Sequence, residues 1–173
     1  MAAAKPLWEM HSWWLRILVG RRPGRTLVRL IILIVGSVVT FGFVLVPVRI
    51  TGISMEPTYH DGKVNFVNRL AYVWSKPRRG DVIAIKTTGI HIMYLKRIVG
   101  LPGETIAIEK GIVLVAGRPL DEPYVRKREP WQEPPVRLES DQYLVIGDNR
   151  ATDQFTHEHG LVKERKIAGK VLW

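Results

Sequence analysis

Thr105-Ile106-Ala107-Ile108-Glu109-Lys110-Gly111-Ile112-Val113-Leu114-Val115 decides the fold class. Two short apolar, β-branched runs flank Lys110-Gly111, which suggests a hairpin. Upstream, Lys63-Val64-Asn65-Phe66-Val67-Asn68 alternates partly, and Asp81-Val82-Ile83-Ala84-Ile85 reads as a strand after the Arg79-Gly80 turn. Downstream, Gln142–Ile146 and Ile167–Leu172 read as two more strands. The segment from Glu122 to Pro135, rich in proline and charge, reads as an exposed loop. Many short strands with Gly/Pro punctuation, and no long helical pattern after residue 49, predict a mainly β domain, a barrel or sandwich, over residues 49–173.

Ahead of that domain, Leu30 to Val48 carries no charge and is close to the ~20 residues a membrane helix requires. Gly36, Ser37 and Gly42 are tolerated in such helices. A β-rich remainder would have little use for a buried core helix of this kind. Lys5, Arg16, Arg21, Arg22, Arg25 and Arg29 precede the run, opposed by Glu9 alone. The excess of basic residues predicts a cytoplasmic N-terminus and an extracytoplasmic domain on a cell (inner or plasma) membrane. Pro47-Val48-Arg49-Ile50 lacks a small-x-small cleavage pattern, so the run reads as an uncleaved anchor over 30–48. Residues 1–29 form a basic arm. Within it Leu7, Met10, Trp14 and Ile17 fall at helical spacing, which suits either an interfacial helix or a disordered tail.

The chain has 173 residues, with 26 Lys and Arg against 16 Asp and Glu. Such a basic balance points to an anionic partner, and the membrane-proximal arm accounts for much of it without nucleic acid. With no cysteine, disulfides and thiolate metal sites are excluded.

Thr51-Gly52-Ile53-Ser54-Met55-Glu56-Pro57-Thr58 follows the apolar run directly. Gly52 permits a sharp turn, and Pro57 fixes its own φ and keeps Glu56 extended. Ser54 is thereby exposed and aimed, as a nucleophile must be; a plain turn is the competing reading. If His91–Val99 is a strand, Ile92, Tyr94, Lys96 and Ile98 share one face, and Met93, Leu95 and Arg97 the other. Lys96 is then the one charged residue on an apolar stripe, where burial favours a neutral amine able to take a proton from a serine. The alternative is a lysine whose tip reaches water past its apolar stem.

Four motifs in order carry a resemblance: Ser54-Met55-Glu56-Pro57-Thr58, Arg79-Gly80-Asp81-Val82, Lys96-Arg97-Ile98-Val99-Gly100-Leu101-Pro102-Gly103-Glu104 and Gly147-Asp148-Asn149-Arg150. Together they resemble the boxes of bacterial type I signal peptidases, membrane-anchored serine proteases of the S26 kind. The resemblance spans about Arg49 to Gly169. It implies a β fold whose apolar face sits near the bilayer, with Ser54 as nucleophile, Lys96 as general base and the Ser54 backbone N–H as oxyanion donor. It implies exported preproteins as substrates, with small residues at the first and third positions before the cut, and no cofactor. It sets Ile50, Ile53, Met55, Tyr94 and Leu95 near the small-residue pocket, with core packing as the alternative.

The last motif departs from the pattern. Where such proteases carry a serine and then Asp-Ser-Arg, this chain has Asp153 and Phe155-Thr156-His157. Asp153 and Thr156 are the candidates left to orient Lys96. An aspartate beside the lysine would favour its charged form and oppose its role as base. The hydroxyl that some members place two residues before the nucleophile is replaced by Gly52.

Other constellations compete. His157-Glu158-His159 suggests a metal site but lacks a third ligand. His60 or His91 with Asp61 or Asp81 offers a Ser-His-Asp triad, and the lysine motif explains more residues. A pilin- or conjugation-type processing protease would share the dyad and differ in substrate. A self-cleaving repressor domain would need a DNA-binding segment where the apolar run lies. A non-catalytic, membrane-anchored basic module would tolerate loss of Ser54 or Lys96.

Overall fold

The computed structural model describes residues 23–86, 93–151 and 160–172. The chain divides into two compact units, residues 1–43 and 44–173. In the first, helix α1 (Pro23–Val39) passes into a π-helical turn (Thr40–Val44). Gly24–Val44 is 21 residues, long and apolar enough to cross a membrane. At 1.5 Å per residue it extends about 30 Å. Leu27, Leu30, Ile32 and Leu33 are exposed, so α1 is not the core helix of a soluble domain.

The uncharged run 30–48 is thus divided. Its residues through Val44 are helical, and Leu45–Val48 belong to strand β1 (Leu45–Arg49). Further strands are β2 (Val64–Asn68), β3 (Val82–Lys86), β4 (Met93–Gly100), β5 (Thr105–Glu109) and β6 (Ile112–Val115). They are followed by β7 (Arg118–Pro119), β8 (Glu133–Arg137), β9 (Gln142–Ile146), β10 (Gly160–Lys163) and β11 (Ile167–Val171). The strand pattern's prediction of a mainly β domain holds. Among the described residues one sheet runs β1-β2-β11-β3-β4-β9-β10 and the other β7-β6-β5-β8. All pairings between these strands are antiparallel. The hairpin expected around Lys110-Gly111 is β5–β6, with Glu109 opposite Ile112.

Alternation divides the larger sheet's apolar side chains between two clusters. Val82, Ala84 and Leu95 pack with Ile50, Met55, Tyr59, Val67, Ala168 and Val171. Ile83 and Ile98 pack with Tyr143 and Val145. A third cluster, including Val99, Ile106, Trp131 and Ile146, joins the two sheets. Gly100 sits at that junction, where an added Cβ would lie 2.9 Å from Ile106, Leu138 and Leu144.

The segment 122–135 departs from its expected reading as an exposed loop. Glu122, Val125 and Trp131 are buried, and Glu133–Arg137 is strand β8, paired with β5. Pro134 and Pro135 obscured it; β8 lies at a sheet edge, where missing N–H donors cost little.

Candidate active site

Residues 50–63 connect β1 to β2 and carry Ser54. Gly52 has φ +97° and its N–H donates to Asp61 Oδ1 at 2.8 Å. That backbone angle is strained for any residue with a Cβ, which explains why glycine stands there. Ser54–Thr58 form turns, with Glu56 N–H donating to the Ile53 carbonyl at 3.1 Å and Tyr59 N–H to that of Met55 at 2.9 Å. The expected extended Glu56 is therefore replaced by a turn, and the Glu56–Pro57 peptide is cis. Met55 and Tyr59 anchor the turn in the core, leaving Ser54 half-buried.

Lys96 lies in β4, opposite Ile83 of β3. It is 3% exposed, so its amine tip does not reach past its stem into bulk water. Ile98 on the same face is fully buried, and Tyr94 at the strand's outer end is exposed. His91 and Ile92 lie outside the described residues, as do Asp153, Phe155, Thr156 and His157–His159.

The turn and the lysine strand are joined through residues 148–150. Arg97, next to Lys96, is 6% exposed and donates to both carboxylate oxygens of Asp148, Nε to Oδ1 at 2.7 Å and Nη2 to Oδ2 at 2.6 Å. Thr58 Oγ1 donates to Asp148 Oδ2 at 2.5 Å. Asn149 donates twice into the serine turn, from its backbone N–H to the Ser54 carbonyl at 3.1 Å and from Nδ2 to the Ile53 carbonyl at 3.1 Å. Arg150 donates through Nη2 to Glu122 Oε1 at 2.5 Å and through Nε to the Gly147 carbonyl at 2.9 Å. Tyr124 bridges the two ion pairs: its ring lies 4.1 Å from the Arg97 guanidinium and its hydroxyl donates to Glu122 at 3.0 Å.

These pairs hold their charges in a buried setting. Burial opposes the charge on Arg97, but its hydrogen bonds and proximity to Asp148 outweigh this and raise the guanidinium above its usual range. Burial, reinforced by Glu122, pushes the Tyr124 phenol up, so it stays a donor. Burial likewise raises Tyr59, against the pull of Arg97.

The candidates named from sequence separate into groups. Ile50, Met55 and Leu95 share one core cluster with each other, whereas Ile53 and Tyr94 are exposed. Asp61 accepts from the Gly52 N–H, and Asp81 from Lys170, Tyr72 and the Arg78 backbone. Among the described residues no cluster of His, Asp or Glu could hold a metal ion. Asp148 and Arg150 are almost wholly buried, and each is held in an ion pair. Glu122 and Tyr124 have no motif that marks them in the sequence. The only sequence signal was an acidic residue and an aromatic, Glu122-Pro123-Tyr124, inside a stretch otherwise dominated by exposed charge.

Comparison with known proteins agrees with the motifs. The family model described as "Signal peptidase, peptidase S26" matches residues 24–173. A Synechocystis protein described as "Probable signal peptidase I-2" is 34% identical over 155 residues, 86% of this chain and 70% of the relative. "Signal peptidase I T" of Bacillus subtilis is 33% identical over 138 residues, 73% of this chain and 72% of the relative. A solved signal peptidase I from Enterococcus faecalis aligns with TM-score 0.45 and 28% identity, covering 56% of this chain and 97% of that one. The chain belongs to the S26 signal peptidases, serine proteases that remove signal peptides from preproteins.

Proposed function

We propose that Ser54 is the nucleophile and Lys96 the general base of this reaction. Ser54 Oγ attacks the scissile carbonyl as the neutral Lys96 amine accepts its proton. The tetrahedral oxyanion is met by the Ser54 backbone N–H. Collapse expels the new N-terminal amine, which takes the proton back from Lys96. Water, deprotonated by the same amine, then hydrolyses the acyl-enzyme. The observation that carries this reading is the burial of Lys96 at 3% exposure, on a strand clamped to the serine turn through Arg97, Asp148 and Asn149. Removal from water favours the uncharged amine that a base requires.

The substrate is a preprotein whose residues at the first and third positions before the cut are small. Ile53 and Tyr94 are the exposed apolar side chains beside the two reacting residues in sequence, and they would meet the substrate; Ile50, Met55 and Leu95 would form the floor beneath it. The apolar part of Gly24–Val44 crosses the lipid bilayer, with the basic residues through Arg29 on the cytoplasmic side and residues 49–173 outside.

Cleavage of a test preprotein by the purified full chain, beside Ser54→Ala and Lys96→Ala, tests the dyad. Both variants lose cleavage if the roles are right; activity equal to the parent in either ends the proposal.

A further inference from the structure

We propose that Asn149 is the positioning residue that aims the oxyanion donor, by holding the two peptide planes on either side of Ser54. This rests on Ser54 being the nucleophile. In a trans peptide the C=O and N–H point in opposite directions within one plane. The Ile53 carbonyl and the Ser54 N–H belong to the same plane. That carbonyl accepts from Glu56 N–H within the turn at 3.1 Å and from Asn149 Nδ2 at 3.1 Å, and the Asn149 bond ties the opposite direction of the Ser54 N–H to the 148–150 segment. Asn149 N–H donates to the Ser54 carbonyl at 3.1 Å and fixes the following plane. One residue thus brackets Ser54 on both sides and constrains the direction of its N–H. Among the described residues, no backbone carbonyl accepts a hydrogen bond from the Ser54 N–H.

Asn149 is itself held firmly. Its Oδ1 accepts from Ala151 N–H at 3.2 Å, so the amide is turned with Nδ2 toward Ile53. Its neighbours Asp148 and Arg150 are each 1% exposed and locked in ion pairs to Arg97 and Glu122. A donor on so fixed a backbone can transmit position, as a preorganised site requires. Aspartate at 149 would keep the shape and the acceptor to Ala151, but it has no donor for the Ile53 carbonyl.

Preprotein cleavage kinetics and thermal melts of the full chain in detergent test this with Asn149→Asp and Asn149→Ala, beside Ser54→Ala and Lys96→Ala. Both Asn149 variants are expected to fold, to keep KM within about twofold and to lose kcat by about 10- to 100-fold, less than the ~10²–10³ lost when an oxyanion donor itself is removed. Their affinity for a peptide aldehyde, whose hemiacetal mimics the tetrahedral state, should fall in parallel with kcat. The inference is overturned by parental kcat in either folded variant, by a change confined to KM, or by loss of the cooperative melt in both. The dyad reading fails separately, through activity in Ser54→Ala or Lys96→Ala.

Discussion

Asp148→Ala should strand a buried positive charge. It removes two charge-assisted bonds to Arg97, at 2.7 and 2.6 Å, and the bond from Thr58. Arg97 keeps the Gly80 carbonyl at 2.7 Å and the Tyr124 ring, but its charge is 6% exposed and cannot turn to water without moving β4. Breaking a buried pair on one side costs about 3–5 kcal/mol, because the remaining charge is uncompensated. Replacing both partners with apolar groups is much milder, so Arg97→Met combined with Asp148→Leu should be more stable than Asp148→Ala alone. Equilibrium urea unfolding of the full chain in detergent, followed by tryptophan fluorescence, measures this; Trp131 is buried at 3% exposure and reports on the core. A loss under about 1 kcal/mol in Asp148→Ala, or a double variant less stable than the single one, would refute the claim that this pair is desolvated.

Other outcomes are equally open to measurement. Glu122→Ala should cost about 3–5 kcal/mol by stranding Arg150, and Glu122→Gln less, about 1–3 kcal/mol, since an acceptor remains; urea midpoints decide. Gly100→Ala meets Ile106, Leu138 and Leu144 at 2.9 Å and should destabilise by about 1–3 kcal/mol through overpacking, read from the same curves. Burial pushes Asp81 up, but hydrogen bonds from Lys170, the Arg78 backbone and Tyr72 prevail and hold its carboxyl below the usual range. A carboxyl depressed in the folded state stabilises above its unfolded value near ~4, and that contribution is lost as pH falls below it through the folded value. Asp81→Asn should therefore flatten the acid limb of stability against pH; an unchanged limb would remove Asp81 from it. Cysteines introduced singly at Ala3 and Ala151, in a chain that otherwise has none, should react with an impermeant thiol reagent in intact cells only at position 151.

Much of the fold is legible because a strand's period is local. Asp81–Ile85, Ile112–Val115 and Gln142–Ile146 announce themselves by β-branched runs between turn residues, within one residue of their observed bounds. Strand β1 is hidden because Leu45–Val48 continues the apolar run of the helix without a change of composition, and only pairing with β2 separates them. Edge strand β8 is hidden by Pro134 and Pro135. The site divides the same way. Ser54 and Lys96 stand out through neighbours in sequence, a glycine and proline for one and an apolar stripe for the other. The clamps that hold them do not, because Arg97 and Asp148 are 51 residues apart, and Arg150 and Glu122 are 28 apart. No period in a sequence pairs a given arginine with a given carboxylate over such distances. A buried charge looks the same as a surface one until the fold places it.

The central claim, that Ser54 and Lys96 act as one reacting unit, is tested most directly by a kinetic cycle. Single-turnover kcat/KM on one preprotein is compared for the parent, Ser54→Ala, Lys96→Ala and the double variant. Residues that share one step lose it once, so the double variant should be no slower than the slower single variant. A double variant slowed by the product of the two single effects would make the residues independent and contradict the account.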